Sequence, residues 1–167
     1  MPTIKFCIER ELPVPAAKVW AFLGEGFGSW ESWASAFESC SLDRALGQGC
    51  IRTYKLKGLP NTVVQEVLAY DPATFVLEYV VLSGAHEFMK RIANRWQLVP
   101  MGETRCKVIC DADFTVAWYM TLLYYPVKWK LVTKLNEFQD DIEAESKKTL
   151  VTATEANFFV NSSRDGK

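Results

Sequence analysis

Histidine occurs once in this sequence, no CxxC pair occurs, and neither sign of charge is in excess. A lone histidine, His86, cannot build a multi-histidine metal site, so neither a metal nor any other cofactor is expected. The five cysteines, Cys7, Cys40, Cys50, Cys106 and Cys110, are odd in number and lack ligand spacing. They point away from a disulfide framework and toward reduced thiols in a cytoplasmic protein. Nineteen basic against twenty acidic residues give a net charge of −1. Nucleic acid is therefore not an expected partner. GxSxG, a glycine-rich phosphate loop and HExxH are all missing, and hydrolase, kinase, dinucleotide-enzyme and metalloenzyme readings lose support together. The longest nearly uncharged run, 114–127, is too short to span a bilayer. At the N-terminus Lys5 interrupts the apolar residues and Glu9, Arg10 and Glu11 follow, which leaves no signal-peptide core.

What is present fits one domain. The chain has 167 residues, 49% hydrophobic and 23% charged, enough for a sizeable core and short for two domains. The stretch 126–152 (PVKWKLVTKLNEFQDDIEAESKKTLVT) contains no glycine and has its only proline at the first position, where a helix tolerates it. Val127, Leu131, Leu135, Phe138 and Ile142 recur three or four residues apart, which predicts one face of a helix roughly 40 Å long. Upstream, the alternation of Ile4, Phe6 and Ile8 predicts a strand over 3–12. Val19, Trp20 and Leu23 predict a short helix beginning near Ala16, and Trp30, Trp33 and Phe37 predict a second short helix within 28–40. The ranges 50–57, 62–70, 74–82, 91–99 and 104–116 read as strands joined by hairpin turns. The polar residues 161–167 read as a disordered tail behind a single domain over 1–160.

The run LPVPAAKVWAFLGEGFGSWESW followed by LGQGCIRTYKL, then VVQEVLAYDPATFVLEYVVLSG and NRWQLVP, resembles the START-like, Bet v 1-like (SRPBCC) superfamily. Within it the similarity is to the polyketide cyclase/dehydrase and lipid-transport branch. The expected architecture is an α+β helix-grip fold: a seven-stranded antiparallel sheet wrapped around a long C-terminal helix, with two short helices after the first strand. The resemblance also implies an apolar cavity between sheet and helix that takes a lipid, a polyketide or another hydrophobic molecule. Two functions follow from different classes. One is a carrier or sensor of a hydrophobic small molecule. The other is a cofactor-free polyketide cyclase/dehydratase that uses the same cavity with acid–base help.

Candidate residues come from strand parity. Arg52, Tyr54 and Leu56 share one face of their strand, and Val64, Glu66 and Leu68 share one face of the next. Arg52 and Glu66 are thereby expected to meet across the ladder, either as a structural ion pair or as a functional pair at the inner end of the pocket. His86, in the loop GAHEF, is either a solvated loop residue or a general acid or base. Asn94 and Trp96 lie on one face and would offer an amide and an indole N–H to a ligand, or else belong to the core. Tyr79 is another cavity donor or an ordinary buried tyrosine. Trp33, Leu135 and Phe138 complete the expected apolar lining.

The segment 117–130 (AWYMTLLYYPVKWK) interleaves five aromatic rings with Met120, Leu122 and Leu123 and ends in Lys128 and Lys130. Lysines near a helix N-terminus oppose the macrodipole, so helix stability does not account for them. A lid over the cavity mouth or a crossover packed on the core is preferred here. Transient contact of Trp118 to Lys130 with a membrane surface stands behind both, because the run has few basic residues.

Overall fold

The computed structural model describes residues 1–162, with side-chain surroundings through residue 152 apart from Thr121. The strands are β1 (Thr3–Leu12), β2 (Phe37–Leu42), β3 (Ile51–Leu56), β4 (Thr62–Asp71), β5 (Val76–Ser83), β6 (Met89–Pro100) and β7 (Cys106–Val116). They form one antiparallel sheet in the order β1-β7-β6-β5-β4-β3-β2. Strands β2 to β7 follow one another as hairpins, and β1 closes the far edge by pairing with β7 from Thr3↔Thr115 to Leu12↔Cys106. At the β5–β6 turn Gly84 has φ +87, and a Cβ there would stand 2.0 Å from the Thr62 carbonyl oxygen. Only glycine fits that turn.

Between β1 and β2 lie helix α1 (Ala16–Leu23) and a 3-10 helix over Glu25–Ser32. Two short helices thus follow β1 as expected, but the second is a 3-10 helix that ends at Ser32 instead of continuing toward residue 40. Trp30 belongs to the 3-10 helix, while Phe37 opens β2. Serine and cysteine in FESCSL are weak helix formers, and a bulge between Phe37 and Ser39 rephases the strand so that Phe37, Cys40 and Leu42 are its more buried residues. Trp30, Trp33 and Phe37 do converge, but on the core rather than along one helix.

A second 3-10 helix (Trp118–Leu123) leads into α2 (Tyr124–Ser162), which starts two residues before the predicted helix and runs beyond residue 152. Its 39 residues would span roughly 58 Å at about 1.5 Å each. Of the tail expected at 161–167, residues 161 and 162 end α2 and the others lie outside the described residues. The inner stripe divides between two clusters. Val127 and Leu131 pack with Ile4, Phe114 and Val116, while Phe138 and Ile142 join the larger core of α1, the first 3-10 helix and the inner face of the sheet. Leu135 touches both. Polar clamps fix the helix in this groove. Arg10 bridges Asp140 at 2.5 Å and Glu143 at 3.4 Å, and Asp141 accepts bonds of 2.8 Å from the Ser35 N–H and hydroxyl.

Candidate functional site: a caged arginine in the core

Strand β3 sends Arg52 and Tyr54 inward, and Arg52 has no exposed surface. Its guanidinium lies 4.2 Å from the ring centroids of Phe27 and Trp30, and 4.9 Å from those of Phe37 and Tyr54. Nη2 donates to Cys40 Sγ at 3.1 Å, whereas Nε and Nη1 have no partner among the described residues. A buried charge costs several kcal/mol, and desolvated cation–π contacts of about 2 kcal/mol each offset part of that. Rings stabilise the charge but are only weak acceptors of N–H. Two donors are left aimed into the core, which is the chemistry of a site for a carboxylate, an enolate or a polarised carbonyl oxygen.

More donors converge around it. Gln65, opposite Arg52 in the β3–β4 register, donates to the Tyr54 hydroxyl at 3.3 Å and keeps an unpartnered Oε1. The Tyr79 hydroxyl on β5 accepts from Trp96 Nε1 at 3.1 Å and, more weakly, from Asn94 Nδ2 at 3.5 Å. Each tyrosine retains an O–H to donate. Burial pushes the Tyr79 phenol up to about 12, and burial likewise holds Tyr54 well above its ordinary range. Both stay protonated at neutral pH and act as hydrogen-bond donors, not as bases.

From the helix side Phe138 closes the cluster, with its ring 4.8 Å from Trp30, 5.2 Å from Trp33 and 5.3 Å from Trp96. Where the resemblance implies an open apolar cavity, these rings touch one another around Arg52. Between the sheet and α2, the gap beside Leu12 and Ile142 is too narrow for water. A depression of about 470 Å³ lies on the outer face of the sheet instead, flanked by ion-paired Arg91 and Asp113.

Several expected site residues come together here: Arg52, Tyr54, Tyr79, Asn94, Trp96, Trp33 and Phe138. Leu135 lies at the junction of the two clusters, only partly buried. Two others do not. The buried face of β4 carries Val63, Gln65 and Val67, so Glu66 points to the outer face opposite Ile51 and forms no pair with Arg52. In the apolar run VVQEVL the parity of the strand cannot be read from hydrophobicity, and a one-residue slip exchanges Glu66 for Gln65. His86 is exposed in the β5–β6 loop, its ring stacked 5.4 Å from Phe88, and Phe88 packs in the cluster at the other end of the grip. Gln65, Cys40 and the cage rings Phe27 and Phe37 escaped the sequence reading. A glutamine within an otherwise apolar buried strand face was the one available signal.

An antiparallel sheet gripping a long C-terminal helix, with an aromatic and donor-rich interior, defines the helix-grip class of the START-like, Bet v 1-like superfamily. Residues 3–143 match the family described as polyketide cyclase / dehydrase and lipid transport, and the chain belongs to that family. Among solved structures it is similar to the Zhui aromatase/cyclase of a Streptomyces species (TM-score 0.73, 16% identity, 89% of this chain and 96% of that one). It is similar also to a START superfamily protein from Mycobacterium smegmatis (TM-score 0.72, 16% identity, 87% of this chain and 98% of that one). A third is a norcoclaurine synthase point mutant from Thalictrum flavum in complex with a transition-state analogue (TM-score 0.72, 15% identity, 89% and 96%). At these identities the likeness is one of fold. No curated protein matches the sequence closely enough to count as a relative.

Proposed function

We propose that this protein binds a hydrophobic small molecule, lipid or polyketide-like, between the sheet and α2, and acts as its carrier or sensor. The observation that carries the proposal is Arg52, fully buried with two donor nitrogens, Nε and Nη1, unpartnered among the described residues inside an apolar cage. The ligand would set an oxygen anion or polarised carbonyl on Arg52 and its hydrocarbon or ring system among Trp30, Trp33 and Phe138. Entry requires those rings to rotate aside, since their contacts fill the space. The five thiols are free, which suits a reducing compartment, and we place the protein in the cytoplasm. Among the described residues no helix is long and apolar enough to cross a membrane.

A second function draws on the family and on the two buried hydroxyls. A cofactor-free cyclase/dehydratase would fold a reactive chain into shape while Tyr54, Tyr79 and Arg52 polarise its carbonyls. The inward groups of the cluster are donors apart from the amide oxygens of Gln65 and Asn94, which are too weakly basic to take a proton, and neither Glu66 nor His86 joins them as a base. That composition favours holding an oxygen over removing a proton. Native mass spectrometry of gently purified protein, followed by extraction and identification of what is released, tests the carrier. An acidic or carbonyl-bearing hydrophobic adduct that is lost in Arg52→Met supports it. A protein that neither retains nor takes up such compounds overturns it, and product formation from a poly-β-ketone would move the assignment to the cyclase.

A further inference from the structure

The first two turns of α2 differ from the rest of the helix. Tyr124, Val127 and Leu131 pack toward the sheet. On the other side Tyr125 and Trp129, one turn apart, are 81% and 73% exposed. The preceding 3-10 helix adds Trp118 at 76%, Tyr119 at 54% and Leu122 at 94%. Farther along α2 the outward positions are ordinary: Lys134 pairs with Glu137, Lys147 with Glu143, and Lys148 with Glu145. Through residue 152, α2 exposes no second cluster of large apolar side chains, and Val151 stands alone near its far end. These five side chains are turned mostly to solvent, unlike the core-packed crossover that is one of the two readings preferred from sequence.

Charge identifies the occupant. From 114 to 136 the chain has no aspartate or glutamate but has Lys128, Lys130 and Lys134. Lys134 is engaged by Glu137, whereas Lys128 and Lys130 have no carboxylate partner among the described residues. The adjoining loop, tied on by the Ala117 N–H to the Phe88 carbonyl at 2.8 Å, adds Glu87 and Lys90, which cancel. Two cations at a helix N-terminus cost stability unless an external anion faces them. A second copy on a two-fold axis would set these lysines against each other. Rings that sit at headgroup depth beside ammonium groups that meet phosphate suit a bilayer surface.

We propose that this face, the 3-10 helix Trp118–Leu123 with the first two turns of α2, docks peripherally on lipid membranes bearing anionic headgroups. It stands at the end of the grip away from Arg52, and it does not depend on what the core binds. The test is co-sedimentation of the full chain with phosphatidylcholine vesicles, with and without phosphatidylserine, together with quenching of tryptophan emission by brominated lipid. The expected result is binding to the phosphatidylserine vesicles that weakens with added salt. Leu122→Glu with Trp129→Glu should abolish it, and Lys128→Glu or Lys130→Glu should weaken it at least roughly fivefold each. Leu122, Trp129 and Lys130 face solvent and Lys128 is half-buried, and unchanged circular dichroism and melting would verify folding. Failure to bind either vesicle overturns the proposal, as does undiminished binding by the Leu122/Trp129 variant. A concentration-dependent dimer dissolved by the same changes, with no vesicle binding, assigns the face to a second copy and likewise overturns it.

Discussion

Arg52 donates from Nη2 to the sulfur of Cys40 at 3.1 Å, and this thiol, not a carboxylate, is its hydrogen-bond partner. Burial raises the Cys40 pKa more than the neighbouring Arg52 lowers it, so the sulfur is a neutral, weak acceptor. The guanidinium charge is consequently balanced mainly by ring faces, and the Glu31 carboxylate reaches it only by way of the same thiol. A core built only for stability would have paired or replaced it.

Replacing Arg52 by Met should therefore stabilise the ligand-free protein or leave it unchanged, since an apolar residue of similar volume removes a poorly compensated charge. Arg52→Ala should instead lose about 3 kcal/mol, because it also leaves a cavity. Thermal and urea unfolding of the empty proteins separate these outcomes. Arg52→Met should at the same time lose at least tenfold in affinity for an acidic hydrophobic ligand. A destabilised Arg52→Met would show that the charge belongs to the architecture.

Alkaline stability follows from Tyr79. Its folded pKa is pushed up to about 12 by burial, above the ordinary tyrosine value near 10. The unfolded chain therefore releases this proton first, and stability is fully present below about pH 10 and declines as pH rises through 12. The loss from this one group is on the order of 2–3 kcal/mol. Tyr54, raised the same way, adds to it. Denaturant titrations across that range, followed by tyrosinate absorbance, should show a shallower decline in Tyr79→Phe. That variant should also cost about 1–3 kcal/mol near neutrality, because the indole N–H of Trp96 and the amide of Asn94 lose their acceptor.

Phe138 is the ring through which α2 meets Trp30, Trp33, Phe37 and Trp96. Truncation to Ala should cost about 3–5 kcal/mol in urea unfolding. It should also open room beside Arg52, so uptake of a hydrophobic dye should rise in the variant under conditions where it remains folded. No gain in uptake would mean that the neighbouring rings collapse into the vacancy.

Glu66→Gln and His86→Ala should leave ligand affinity within about twofold and stability within roughly 0.5 kcal/mol, as expected away from the core. Isothermal titration with whatever ligand is recovered checks the first, and thermal melting the second. A large loss of affinity in either variant would place the site outside the Arg52 cage.

Residue spacing by itself determined the long helix, six of the seven strands and the inward set Tyr54, Tyr79, Asn94 and Trp96, because side-chain periodicity fixes which residues share a face. It could not place β2, where Trp30, Trp33 and Phe37 mimic helical spacing while a bulge and weak helix formers make a strand. Parity failed in β4 for the same kind of reason: in VVQEVL both faces look apolar, and only pairing with β3 decided that Gln65 rather than Glu66 joins Arg52. The cage itself was decided by tertiary structure alone. Phe27 and Trp30 come from the first 3-10 helix, Phe37 and Cys40 from β2 and Tyr54 from β3, and nothing local says that three elements will close their side chains around one charge. Sequence supplied an arginine on an inward face; long-range packing left two of its donors without a partner.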